Sequence, residues 1–132
     1  MSKSTYEANR ILDLRFGGSA YTIPPTLYIA LFTAAPTIAG GGTEVSGGAY
    51  ARVAVTNNSA NWPASSGGAK SNAIAITFAQ ATAAWGTIVA AAIFDALTAG
   101  NMLAFHNLDA PKTVNIGDTV SFPIGSVRAT EA

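Results

Sequence analysis

His106 is the one histidine of the chain, and its nearest acids in sequence are Asp95 and Asp109. A histidine beside a carboxylate can serve as a general base, and with a serine it would complete a nucleophilic triad. Serines are plentiful, but no GxSxG turn presents one. The surrounding residues, MLAFHNL, read as a strand, where a single polar residue on a sheet face needs no catalytic role. A usual zinc site would need several carboxylates converging on His106, because the chain has no cysteine. Asp109, Asn115 and Asp118 could offer hard oxygens to calcium, yet each stands where turn chemistry already wants it, and EF-hand spacing is absent. The glycines of GGGTEVSGG (40–48) have no GxxxxGK[ST] pattern and lead into no helix, so a phosphate cradle is not expected. Glycoside hydrolysis would want paired carboxylates in a groove, whereas the seven acids here are scattered. Trp62, Trp85 and Tyr50 could stack on a sugar, but core packing accounts for them. The expectation is a protein with no catalytic residues, no cofactor and no metal: not an enzyme.

The totals narrow the partners. Seven basic and seven acidic residues cancel, and only 11% of the 132 residues are charged. Without a basic cluster the chain lacks the attraction that drives binding to nucleic acid or to an anionic membrane. The N-terminus, MSKSTYEANRIL, is polar where a secretory signal would be apolar, and the longest apolar run, IVAAAIF (88–94), is too short to span a bilayer. A soluble chain made in a cytoplasm is expected. Its surface must be largely Ser, Thr, Asn, Gly and Ala, short side chains that lose little rotamer freedom when covered. Such a surface suits repetitive assembly as well as it suits plain solvation.

One domain over 1–132 is the natural size for a single core. Ser4-Thr5-Tyr6-Glu7 is a capping box, and Gly17-Gly18 a stop, so a short amphipathic helix is predicted over 4–16. Its apolar side, Ile11, Leu12, Leu14 and Phe16, would pack on the sheet or on a neighbouring subunit. Pro24-Pro25 forces extended chain into TLYIALFT, which is apolar on both faces and reads as an inner strand. A long, polar, flexible loop at 34–49 then precedes AYARVAVT, where Val53 and Val55 alternate with Arg52 and Ala54. A second long loop follows at 57–72, with Trp62 tucked back as a plug. Further strands are read at 73–78, with Ile74, Ile76 and Phe78 inward, and at 87–95, with Ile88, Ala90, Ala92 and Phe94 on one face. Gly86 and the β-branched residues tip 87–95 to strand rather than helix. Residues 102–108 return antiparallel, turns surround the pair at 113–114, and Thr119–Ile124 form a last core strand near an edge, before a polar tail at 128–132. About seven strands with turn-rich connections make an all-β sandwich.

The ordered series ALFTAAPT…GGGTEVSGGAYARVAVTNNSANWPA, KSNAIAITF, WGTIVAAAIFD and TVNIGDTVSF closely resembles a family of small tailed-phage virion proteins, commonly labelled "phage tail fibre protein". The resemblance runs from about Ile11 to Phe122. It implies a structural protein of the virion. Some small phage proteins of this type are capsid cement or decoration proteins with an immunoglobulin-like sandwich, arranged as trimers on the shell. By that resemblance the chain would be an immunoglobulin-like β-sandwich that binds the major capsid protein, and itself as a homotrimer, on the outer surface of the head. The alternative is a tail-fibre or tail-tip component that touches the host. No repeat and no long coiled-coil or β-helical pattern marks a fibre shaft. With charges so sparse, Arg10, Arg15, Glu44, Val45 and Arg52, on the helix and around the glycine loop, are the expected partner-contact residues.

Overall fold

A computed structural model describes residues 1–131. Among them lie one helix and ten strands, in the order β1 (Ser2–Lys3), α1 (Thr5–Arg15), β2 (Thr26–Ala34), β3 (Thr43–Glu44), β4 (Val53–Thr56), β5 (Ala69–Ser71), β6 (Ile76–Thr77), β7 (Gly86–Phe94), β8 (Met102–Val114), β9 (Ser121–Phe122) and β10 (Arg128–Thr130). Six strands form one antiparallel sheet, ordered β1-β8-β7-β2, with β3 and β4 sharing the far edge of β2. Two ribbons, β5–β10 and β6–β9, complete the all-β sandwich.

The main core includes Ile29, Leu31, Ala91, Ile93 and Leu103 of the large sheet, and Ile76, Phe78, Trp62, Trp85 and Val127 of the layer opposite. Tyr50, Phe78 and Trp85 meet there edge-on or stacked, at centroid distances of 5.4 to 6.5 Å. The other face of the same strands holds a smaller cluster of Ala30, Phe32, Ala90, Ala92 and Met102. Strand β2 is therefore the doubly covered inner strand that its sequence implies, and Trp62 is the expected plug, 5% exposed.

Several expectations are corrected. The segment 34–49 is folded back, not a loose excursion: Thr37 and Gly40 close a tight bridge, and β3 pairs with β2. A Cβ on Gly42 would stand 2.6 Å from the Ala34 carbonyl oxygen, so the turn closes only on glycine. In β7, Ile88 joins Ala91 and Ile93 in the main core instead of sharing a face with Ala90 and Ala92. A bulge between Ile88 and Ala90 flips the alternation there, four residues of β8 standing opposite Val89. The same bulge absorbs Asp109–Lys112 into β8, where a turn was expected. Ile74 and Ile124 are exposed rather than inward, because β6 and β9 pair over only two residues each. The loop at 57–72 contains β5, and the tail pairs with it as β10 through Thr130, while Ala132 lies outside the described residues.

The small ribbons are held largely by one polar side chain. Asn72 is 1% exposed. Its Nδ2 donates to the carbonyls of Ile74 (2.8 Å) and Pro123 (3.1 Å), and its Oδ1 accepts from Val127 N (2.9 Å). Its own backbone pairs with Val127 and Gly125. One buried amide thus bonds three backbone groups from separate segments. Asn72→Asp removes the donors and sets a carboxylate against two carbonyl oxygens, at a cost of about 3 kcal/mol in urea unfolding at neutral pH. Protonation restores one donor, so the deficit relative to wild type shrinks as pH falls through the carboxylate range. A deficit that does not change with pH would contradict this account.

Candidate functional site

The edge of β2 has a gap where neither β3 nor β4 pairs with it, between Ile29↔Val53 and Phe32↔Glu44. Leu31 N–H fills the gap by donating to the Tyr50 hydroxyl at 3.0 Å, while Leu31 O accepts from Val45 N. The Tyr50 hydroxyl donates onward to Glu44 Oε2 at 2.7 Å. Glu44 is gripped in a two-point fork by Arg52, Nε to Oε2 at 2.9 Å and Nη2 to Oε1 at 2.8 Å. The remaining Arg52 Nη1 donates to the carbonyls of Ala96 and Ala99, both at 2.8 Å, and the guanidinium lies 3.8 Å from the centroid of the Phe94 ring. This relay ties the edge strand, the glycine loop and the 95–100 turn into one body.

Burial works against the Glu44 charge, but the hydrogen bonds from Arg52 and Tyr50 and the adjacent guanidinium outweigh it and hold the carboxyl below its ordinary range. Tyr50 is raised, first by burial and then by its bond to Glu44. A lowered carboxyl contributes stability above its unfolded value and loses it as pH falls through the folded one.

The expected contact residues therefore separate. Val45 is 5% exposed and packs in the core, because β3 folds inward onto β2. Arg52 is buried with its donors bound within the chain, and Glu44 is bound to it. These three act as internal structure. Arg10 and Arg15 are exposed on α1, and the fold does not bring them to the glycine loop's relay. Arg10 lies over the rings of Tyr21 (5.0 Å) and Tyr6 (5.9 Å). Tyr21 donates to Glu7 Oε2 at 3.1 Å, and its hydroxyl is pushed up to about 12 by burial and by that carboxylate. Glu7 is itself raised, mainly by burial. The capping box closes on one side only: Ser4 Oγ accepts from Glu7 N at 3.1 Å, while Ser4 N bonds to Leu103 O and the Glu7 side chain turns to Tyr21.

The apolar side of α1 departs most from expectation. No helix residue is buried; only Ile11 of the four is half-covered, while Leu12, Leu14 and Phe16 are 54%, 49% and 74% exposed. With Ile23 at 68%, four of the nine large exposed apolar residues fall within twelve positions. Scattered apolar residues on a surface need no explanation, but Leu12 and Phe16 are adjacent at the end of α1, linked by the Phe16 N–H bond to Leu12 O. Adjacent exposed apolar side chains mark a contact; Leu14 points to the other side of the helix. The sequence contained that signal as a neighbouring subunit's share of the helix. Elsewhere His106 is exposed on β8 opposite Ala91, and Asp118 Oδ2 accepts from Asn115 N at 2.9 Å as a turn. A shallow groove of about 450 Å³ runs between α1 and the glycine turn, over Tyr6, Phe32, Phe94 and Asn101.

A family model described as podophage GP4 fiber I protein gp80 matches residues 2–130. The chain belongs to this family. It is a structural protein of a phage virion, of the fibre type. No curated protein matches it. In this fibre-family chain the match spans the helix, the glycine turn and all ten strands, so the exposed helix end lies inside the matched region.

Two outcomes test the relay. Arg52→Ala leaves Glu44 half-buried without its cation and should cost about 3 kcal/mol in denaturant unfolding. Glu44→Gln should lower stability at neutral pH and flatten the acid limb, so that its curve approaches wild type below about pH 4. Parallel curves for the two proteins would show that the pair does not carry the acid sensitivity.

Proposed function

We propose that this chain is a non-enzymatic assembly module of a tail-fibre structure, acting through contacts with copies of itself and with a neighbouring virion protein. The observation that carries the reading is the exposed apolar pair Leu12 and Phe16 at the end of α1, within a fold that a fibre family matches over residues 2–130. A sandwich with few charges and an uncovered apolar helix end has the properties of a part that is placed by neighbours. Its mechanism is additive contact: many modest interfaces, each entropically helped by those already formed, hold a repetitive structure together. Production in the host cytoplasm before incorporation, and the absence of nucleic-acid and membrane partners, belong to this reading through the neutral charge balance.

A second reading is a capsid cement protein that binds the major capsid protein lattice as a trimer on the outer surface of the head, with the immunoglobulin-like strand order the resemblance implies. The compact sandwich supports it, since no described residues form a coiled-coil or β-helical shaft. The family description favours the fibre.

Location and copy number separate the two. Antibody labelling of intact virions, with quantitative mass spectrometry against the major capsid protein, is expected to mark the tail and to give few copies per particle. Label over the head with about one copy per capsid subunit would overturn the fibre assignment and make shell stability the function.

A further inference from the structure

The exposed end of α1 carries a charge pattern as well as an apolar one. Leu12 lies in the last turn of α1 and Phe16 caps it, with extended backbone and its N–H on Leu12 O at 2.7 Å, so the two stand together at the helix end. Asp13 follows Leu12 and Arg15 precedes Phe16, which sets an acid on one flank of the two and a base on the other. Asp13 and Arg15 are two positions apart and point to opposite sides, so they cannot pair within the helix. Neither has an ion-pair partner among the described residues.

The apolar pair is also held in place. The chain after the helix folds back, with Ser19 N bonded to Asp13 O at 2.9 Å and Tyr21 clamped between Glu7 and Arg10. Leu12 and Phe16, 54% and 74% exposed, stand side by side at the helix end, the kind of adjacent apolar surface that marks an interaction site, while Leu14 points to the other side of the helix. Ordering this surface on binding costs little, since it is already ordered.

The occupant follows from the flanks. When helices run parallel around a common axis, opposite flanks of neighbours meet, as e and g positions do in a parallel coiled coil. Asp13 of one copy then faces Arg15 of the next, and every copy contributes one acid and one base. An antiparallel pair would set like flank beside like flank, Asp13 against Asp13, and be repelled. We propose that the end of α1 is the self-association surface of this protein. It forms a closed ring of parallel helices with Leu12 and Phe16 toward the axis and Asp13–Arg15 pairs between neighbours. This rests on the assembly-module reading and gives it a surface.

The test is sedimentation of the full chain at micromolar concentration, with circular dichroism to confirm that each variant is folded. Wild type is expected to form a closed oligomer. Leu12→Asp, on an exposed position, should leave a folded monomer, raising the dissociation constant at least tenfold. Asp13→Arg or Arg15→Asp alone should raise it several-fold, up to about fivefold for each exposed pair lost. The double variant D13R/R15D should restore association, because exchanging the flanks preserves the pairing. A wild-type monomer would overturn the proposal, as would an oligomer indifferent to Leu12→Asp, or a double variant no better than the singles. A monomer in solution together with tail labelling on virions would sink this surface and leave the fibre assignment standing.

Discussion

Strands β2 and β7 lie side by side in the middle of the large sheet, and each is covered on both faces from Ile29 to Phe32 and from Ala90 to Ile93. A strand buried twice must be apolar at every position, and its neighbours must leave room for two layers. The register answers this by setting large against small: Leu31 opposite Ala91 and Phe32 opposite Ala90, with Ala30 opposite Ala92. Alanine is a poor strand former in isolation, but here it lets a facing layer close in without a void. Ile29 and Ile93, opposite each other, fill the main core where the ribbons stand off. Every other element is placed by this pair: β4 and β3 along one edge, β8 along the other, and the ribbons over the face bearing Ile29 and Leu31.

Such a sheet must still satisfy its polar backbone, and two devices do so where regular pairing fails. At the β2 edge, the Tyr50–Glu44–Arg52 relay supplies the missing partner of Leu31 N–H and extends to the 95–100 turn. Across the ribbons, Asn72 supplies the partners that strands of two or three residues cannot. In a chain with so few charges, a buried arginine is tolerable only because its carboxylate, its carbonyls and an aromatic face all meet it together. The charge at Arg52 therefore holds the body together and is not available to a partner.

How far the sequence was legible follows from which interactions are local. The doubly apolar TLYIALFT, the helix with its cap and glycine stop, and the strand expected at 87–95, found at Gly86–Phe94, could be read because periodicity and turn residues act within a few positions. The ribbons could not be. Pairing of β5 with β10 joins residues nearly sixty positions apart and depends on Asn72, whose role appears only once Val127 is beside it. The bulge in β8 likewise hides in a stretch whose Asp and Pro look like a turn. Among the contact candidates, Arg52 read as surface because alternation assigned it to the wet face of a strand; the acid that buries it is eight residues away on the other side of a glycine loop. Ile11, Leu12, Leu14 and Phe16 were visible as an apolar set, but whether sheet or neighbour covers them depends on where the helix ends relative to the body.

Helix α1 is anchored through its first turn, by Ser4 to Leu103 and Thr5 to the glycine turn, and then runs past its support. An isolated helix of this length is marginal in water, so its free end would fray unless something fixed it. The Glu7–Tyr21–Arg10 clamp does so from the chain's own side, which leaves the apolar residues ordered and still uncovered. Covering them within the monomer would take only a chain that returned over them, yet the fold-back from Ser19 to Pro25 leaves Leu12 and Phe16 open while adding Ile23 to the exposed set. A free protein gains nothing by this arrangement, since exposed apolar surface invites nonspecific association. It fits a structural protein of a virion, whose working state is an assembly.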